Sequence, residues 1–404
     1  VALEAVGTRH GGGRVVAVGG GEQRIQTSFS EIVEHSALWR QFPVGAVDYA
    51  RAATGPESER RTVSFGLHLF AYAGTPVALL QRAANPRHGD EGSVEVMCPQ
   101  EDAALSLLAE LRAAMVEHSV LRGQVVTFTA SDYGAQAGGM TFLPRDRVPA
   151  TDVVLPDGTL SRIERQVLGV ARHRSELLAA GQHLKRGVLL YGPPGTGKTH
   201  TVRHLVGESP GTTVIVLAGG ALRLVRLAAE TARALQPAII VLEDCDLIAE
   251  DRSFHDGPQP LLFEVLDAMA ALGRDSAVAF VRTTHRAELR ERALAQRPGR
   301  VALAGEIPLP DASARLRLFE LYRGELPFTS GALADAADRT DGVTASFVKE
   351  VVRRAVLRAV EAGHDVGDED LGSAVHEMTA DAERITRSLL GSSPDLLAEE
   401  TFEP

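Results

Sequence analysis

Aromatic side chains supply only 5% of this 404-residue sequence, with a single Trp. A hydrophobic core must then rest on Leu, Val and Ala rather than on rings. Cysteine is equally scarce. Cys98 and Cys245 lie far apart, without the spacing of a metal site or a disulfide framework, and read as two buried reduced thiols. No apolar run approaches the roughly 20 residues that span a bilayer, and the first residues lack the basic-then-apolar pattern of a secretory leader. The expectation is therefore no membrane partner and a cytoplasmic setting. Basic residues are outnumbered, 42 Lys and Arg against 53 Asp and Glu, for a net charge of −11. That balance argues against a sequence-independent grip on nucleic acid, which needs a basic stripe.

What is present is an apolar share of 44%, that of a globular protein, on a chain long enough for two or three domains. Residues 1–28 carry two Gly triplets and little periodicity, and are expected to form a flexible arm. Residues 29–148 read as an α/β domain. Val63, Phe65, Leu67 and Leu69 alternate as one face of a strand, Ala104, Leu108, Leu111 and Met115 share a helical face, and Gly123–Ala130 is a further strand. No catalytic constellation occurs there.

From residue 149 to 309 the pattern changes. Gly187–Tyr191, Thr213–Leu217, Ala238–Leu242 and Ala277–Val281 are short apolar runs separated by helical stretches. Such alternation predicts a parallel sheet with helices on both faces. Residues 310–390 contain no strand pattern. Phe347, Val348, Val351, Val352, Ala355, Val356, Ala359 and Val360 fall on one stripe, so a small all-helical domain is expected. Residues 391–404 form an acidic tail.

The chemistry begins at Gly192–Thr199, which fits G-x-x-x-x-G-K-[ST] between a buried strand and a helix. Gly192, Pro193, Pro194, Gly195, Thr196 and Gly197 form a loop whose backbone N–H groups can turn inward around phosphates, helped by a helix N-terminus. Lys198 brings a full charge to the β- and γ-phosphates, Thr199 offers a hydroxyl to Mg²⁺, and His200 follows directly in the binding segment. About 45 residues on, the apolar run Ile239–Leu242 ends in Glu243 and Asp244. A metal–triphosphate site needs one carboxylate for Mg²⁺ and a second to orient or deprotonate water. Glu243 and Asp244 suit these two roles, at the sheet edge where ligands bind. ATP and Mg²⁺ are the expected cofactors.

With these motifs in place the chain resembles the AAA+ ATPases, in the branch with the second region of homology, from about Asp152 to Ala380. Gly187–Thr199 matches that family's Walker A strand and loop, and Ile239–Asp246 its Walker B. Thr283–Arg286 resembles the sensor-1 strand end, with His285 where Asn is usual. Ala293–Arg300 resembles the arginine-finger segment, and Pro308–Asp311 with Arg315 the junction to the helical lid. Thr340–Gly342 and Ser346–Ala355 resemble the lid's third helix. The resemblance implies a P-loop parallel sheet with a C-terminal helical lid. It also implies ATP hydrolysis, and a homo-oligomeric ring, by family habit a hexamer, in which Arg297 and Arg300 reach the neighbour's γ-phosphate. Sensor-1 duty would fall to His285.

The chain departs from the family in three places. The acids run Glu-Asp where most members read Asp-Glu, His285 replaces Asn, and Ala218–Leu224 lacks the aromatic of a pore loop. The leading expectation is an ATPase that remodels or repositions a protein partner recruited through residues 29–148. The alternative is an ATP-controlled assembly switch or scaffold with slow hydrolysis and no threading. A nucleic-acid-handling ATPase ranks last, given the acidic balance.

Overall fold

The structure, a computed structural model, describes residues 1–84, 92–130, 137–245, 273, 275–285 and 303–389, with the side chains of 130, 137, 138 and 382–389 left aside. Asp246, Arg297, Arg300 and the acidic tail 391–404 lie outside the described residues. The chain divides into two compact units. One holds residues 1–145, 173–185 and 209–280; the other holds 146–172, 186–208 and 281–404.

The first unit begins with an antiparallel sheet of β1 (Gly13–Val18), β2 (Val44–Gly45), β3 (Asp48–Ala53), β4 (Glu59–Tyr72), β5 (Thr75–Arg82) and β6 (Ser93–Met97). Its order is β2-β1-β4-β5-β6, with β3 also paired to β4. The long strand β4 carries β3 along Glu59–Phe65 and β1 along Leu67–Phe70. Two apolar clusters cover this sheet. Val77 and Leu79 pack with Leu107, Leu111 and Ala114 of the helix Glu101–Glu117. Phe65 and Leu80 pack with Phe29 and Ile32 of the helix Phe29–Trp39. That second helix opens with a capping box, Ser28 accepting from the Glu31 N–H and Glu31 accepting from the Ser28 N–H.

The first 28 residues differ from the expected arm. Ala2–Arg9 is a helix whose Val6 is fully buried against the Leu107 cluster, and β1 pairs with β4, Gly13 opposite Phe70. Arg9 and His10 meet Glu110 and Glu117 of the helix Glu101–Glu117. Tertiary packing orders a stretch whose glycines suggested freedom. In that helix the expected face is also rotated, since Ala114 is buried while Met115 is 59% exposed.

The same unit holds a second, mostly parallel sheet. Its strands are β7 (Val125–Ala130), β8 (Ala137–Leu143) and, beyond β9 (Arg186–Tyr191) of the other unit, β10 (Thr213–Ala218) and β11 (Ala238–Glu243). β10 runs parallel to β11, Val214 opposite Ile239, and parallel to β7, Val214 opposite Val125; β8 closes antiparallel on β7. Sequence reading placed Gly123–Ala130 with the N-terminal domain, but its partner is β10. An apolar run reveals a strand, whereas the strand it pairs with is set by contacts almost 90 residues away. Val225, Ala228, Ala229 and Ala232 of the helix Val225–Ala234 pack on Ile215, Leu217, Ile240 and Leu242, in a core mainly aliphatic among the described residues, joined by Phe128 and Phe280.

In the second unit β9 is buried at all six positions and pairs parallel with β13 (Leu303–Glu306), Leu190 opposite Gly305. Strand β12 (Val278–Thr284) is divided between the units after Phe280. The unit ends in the helices Ala312–Arg323, Ser330–Arg339, Ala345–Ala362 and Asp368–Leu389. Their core joins Leu318 and Phe319 to Leu333, Val348, Val351, Val352, Ala355, Leu371 and Val375. Side-chain caps begin three of them, at Asp311, Thr329 and Thr344. Val360, expected on the buried stripe, is 70% exposed, because only one side of the helix Ala345–Ala362 meets the core.

Candidate phosphate-binding site

Strand β9 delivers the chain into Gly192, whose φ is 149°. A side chain is excluded here, since a Cβ would stand 2.1 Å from the Ile307 carbonyl oxygen. Ile307 closes this corner by donating its N–H to Tyr191 O at 2.8 Å. Gly195 and Gly197 follow with φ of 76° and 109°, and Thr196 ties the turn by donating its hydroxyl to Pro193 O at 2.9 Å. Lys198 then opens the helix Lys198–Gly207, whose first turns are fixed by the Thr201 N–H and hydroxyl, both donating to Gly197 O. A loop with left-handed glycines thus leads directly into a helix N-terminus, an end that favours anions.

Lys198 is only 4% exposed. Its ammonium donates to Gly192 O at 2.9 Å and Pro193 O at 2.8 Å, and lies 2.9 Å from His285 Nδ1. An ammonium has only hydrogens to offer, so Nδ1 accepts there. Thr199 is half-buried, one residue into the helix. His200 Nε2 faces the Asp152 carbonyl at 3.2 Å, and burial pushes its pKa below the ordinary value, with the Asp152 contact opposing. On the core side of the same helix His204 is 1% exposed, with Nδ1 2.7 Å from Val148 O and Nε2 2.9 Å from Glu164 Oε1. Sequence reading passed over His204, because nothing in its spacing marks a histidine that pins a helix to the segment entering it.

The lid helix reaches this loop. Ser346 donates its N–H to Gly195 O at 3.0 Å. A Cβ on Gly195 would meet Ser346 Oγ and Thr344 Oγ1, both at 3.1 Å. Thr344 also caps its own helix by accepting from the Phe347 N–H at 3.2 Å. Arg315, 5% exposed, holds the junction through Asp341 at 2.8 Å and through the carbonyls of Ala337 and Pro310. The sequence pointed to the lid segments but not to their hold on Gly195.

In the first unit β11 ends at Glu243, which is half-buried and stands opposite Ala218 of β10. Asp244 turns the chain with φ of 48°, a left-handed backbone that Asp tolerates better than most residues. Cys98 and Cys245 are both half-buried and outside any disulfide. The segment after β10 forms a short turn, Gly219–Leu224, in which Leu222 and Leu224 sink into the core and Arg223 faces out. Its apolar residues are thus used internally. Among the described residues no group of three or more His, Cys, Asp or Glu is arranged to hold a metal, and no helix is long and apolar enough to cross a membrane.

Parts of this chain are similar to known proteins. The chain is 31% identical over 231 residues to the ATP-dependent zinc metalloprotease FtsH 3 of Sphaerobacter thermophilus, covering 54% of this chain and 47% of that one. It is 36% identical over 191 residues to the ATPase family gene 2 protein of Schizosaccharomyces pombe, covering 44% and 23%. With the proteasome-activating nucleotidase of Methanosphaerula palustris it shares 26% over 289 residues, covering 68% and 69%. The chain therefore spans less than half of the first two relatives. Its sequence holds no H-E-x-x-H zinc motif; after His376 and Glu377 the second histidine's place is taken by Ala380. Residues 188–309 match the model of the ATPase family associated with various cellular activities (AAA), so that segment is similar to an AAA ATPase domain.

Proposed function

We propose that this chain binds ATP at Gly192–Thr199, hydrolyses it with Mg²⁺, and uses the cycle to remodel or reposition a protein partner. The observation that carries the reading is Lys198, buried at the mouth of a loop in which side chains are excluded at Gly192 and disfavoured at Gly195. A buried ammonium at a helix N-terminus is matched to a polyphosphate. Thr199 and Glu243 offer hard oxygens of the kind Mg²⁺ takes, and the metal would supply charge neutralisation at the phosphates. Asp244 would take the proton of the attacking water, and His285 would meet the γ-phosphate or that water. Arg297 and Arg300, outside the described residues, would act on a neighbouring subunit's nucleotide in a homo-oligomeric ring.

The relatives support the choice of substrate: one is named a protease and one an activator of the proteasome, so both names point to polypeptides. Recruitment is assigned to the N-terminal region within residues 29–148, whose antiparallel sheet has no part in the phosphate loop. The proposed setting is the cytoplasm. The Gly219–Leu224 turn favours repositioning over threading, since it offers no aromatic to grip a chain. The same turn favours the second reading, an ATP-controlled switch or scaffold with slow turnover.

The test is steady-state ATP hydrolysis with Mg²⁺ against protein concentration, beside Lys198→Ala and Arg300→Ala. Activity per subunit that rises with concentration and is lost in both variants supports a shared, subunit-spanning site. ATP binding without turnover at any concentration gives the lead to the switch.

A further inference from the structure

One part of the N-terminal sheet has chemistry unrelated to nucleotide. Strands β3 and β4 form a two-stranded ribbon from Tyr49 to Val63, joined by residues 54–58. β5 pairs with β4 from Phe65 onward, and Ala83 and Gln81 just reach Ser64 O and Val63 O, so along residues 59–62 β4 has β3 as its sole strand partner among the described residues. The Thr54 N–H donates to Ser58 O at 2.8 Å, which turns residue 54 toward the hairpin's interior. By strand alternation the N–H and C=O groups of Tyr49, Arg51 and Ala53 then point to the outer edge of β3. No strand of the described residues covers that edge. It is built mainly of alanines, with Ala50, Ala52 and Ala53 all exposed, so an approaching backbone meets little bulk.

The ribbon's charge is arranged unusually for an edge. Arg51 stands directly opposite Arg61. The two belong to a pair without cross-strand hydrogen bonds, where side chains come closest, and like charges placed so are destabilising. Glu59, 3.7 Å from Arg51, is itself 59% exposed, and a surface pair of that kind offsets little. Asp48 is engaged by Arg24, and Arg60, on the other face, by Glu4 at 2.9 Å. The Arg61 guanidinium is stacked on the Tyr49 ring, 3.7 Å from its centroid, which fixes one cation in place. Tyr49, Arg51, Arg60 and Arg61 line a groove of about 750 Å³ along the ribbon together with Asp48 and Glu59. On a chain of net charge −11, an exposed pair of facing arginines is a local exception.

We infer that β3 accepts an extended, acidic segment of a protein partner as an added strand, with Arg51 and Arg61 receiving its carboxylates. Main-chain pairing along Tyr49–Ala53 supplies affinity and the arginines select charge. The inference deepens the recruitment reading above, yet the two fail separately. The ribbon can be assayed without nucleotide or turnover, and a ribbon that binds nothing leaves ATP hydrolysis untouched.

The test is fluorescence anisotropy of a fluorescein-labelled peptide of alternating glutamate and valine, titrated with the full chain in the absence of nucleotide. Expected is binding that weakens about tenfold or more in Arg51→Glu/Arg61→Glu, and that is lost when the peptide is N-methylated throughout. A lysine–valine counterpart is expected not to bind. Undiminished binding in the double variant, or by the N-methylated peptide, overturns the inference. So does equal competition by single-stranded oligothymidylate, which would make the ribbon a general polyanion surface. A thermal melt and ATP affinity equal to wild type show that the double variant is folded. Should it melt early, Arg51→Gln/Arg61→Gln reads the same loss without reversing charge.

Discussion

Lys198 Nζ and His285 Nδ1 lie 2.9 Å apart, with the ammonium donating to the imidazole. The lysine donates to the loop as well, at Gly192 O and Pro193 O. A phosphate must therefore compete with these acceptors for the ammonium, and His285 stands where it can meet whatever Lys198 meets. Replacing His285 with Ala is expected to lower kcat by about 100-fold, the scale of one lost transition-state contact. ATP affinity is expected to stay within about threefold, because removing the imidazole releases a Lys198 N–H that a phosphate can take. His285→Asn, which retains a short donor and acceptor, should recover part of the rate. Equal losses in kcat and in affinity would assign His285 to ground-state binding instead.

Gly195 is held between its own left-handed backbone and the lid. At φ of 76° any side chain is strained, and a Cβ would press on Thr344 Oγ1 and Ser346 Oγ at 3.1 Å. Gly195→Ala is therefore expected to cost about 1–3 kcal/mol where the lid grips the loop. ATP affinity, read by titration with a fluorescent analogue, should fall by at least about tenfold. Ser346→Ala, which keeps the N–H donating to Gly195 O, should leave affinity close to wild type. The contrast separates the backbone contact from the hydroxyl.

The phosphate loop was legible in the sequence because its chemistry is local: glycines, lysine and threonine at fixed spacing dictate one backbone path. The strands β9, β10 and β11 were legible too, since each is a continuous apolar run buried on both faces. What was not legible depends on distant partners. Val125–Ala130 was visibly a strand, yet its place beside β10 rests on pairing between Val125 and Val214. Val6 looked like part of an arm until Leu107 and Leu111 gave it a surface to cover. The bond from Ser346 to Gly195 joins residues about 150 apart, and no period in either segment announces it.

Asp244 combines a carboxylate with a left-handed backbone, φ of 48°. Asn shares that tolerance, whereas Ala does not. If Asp244 takes the water's proton, Asp244→Asn should lower kcat by about 100-fold with the melting temperature unchanged. Asp244→Ala should lose as much rate and also about 1–2 kcal/mol of stability from the backbone. A kcat for Asp244→Asn near wild type would move the proton-accepting role elsewhere, with Glu243 as the first residue to substitute.

His68 gives the N-terminal sheet a pH-dependent stability. It is 9% exposed on β4. Gln81 donates its amide to Val63 O at 2.9 Å, which turns Gln81 Oε1 toward His68 Nε2 at 3.0 Å, so the imidazole donates there. Burial pushes the His68 pKa below its ordinary value, and the Gln81 bond opposes this only in part. The folded state therefore binds a proton less readily than the unfolded chain. The resulting stability is fully present above the unfolded value of about 6.5 and is lost as pH falls through the lower folded value. The melting temperature of the wild type should drop as pH is lowered from about 7 to about 5. His68→Leu should start lower at neutral pH, because Gln81 Oε1 loses its donor, but its decline over the same interval should be shallower. Parallel declines for the two proteins would show that His68 carries none of the dependence.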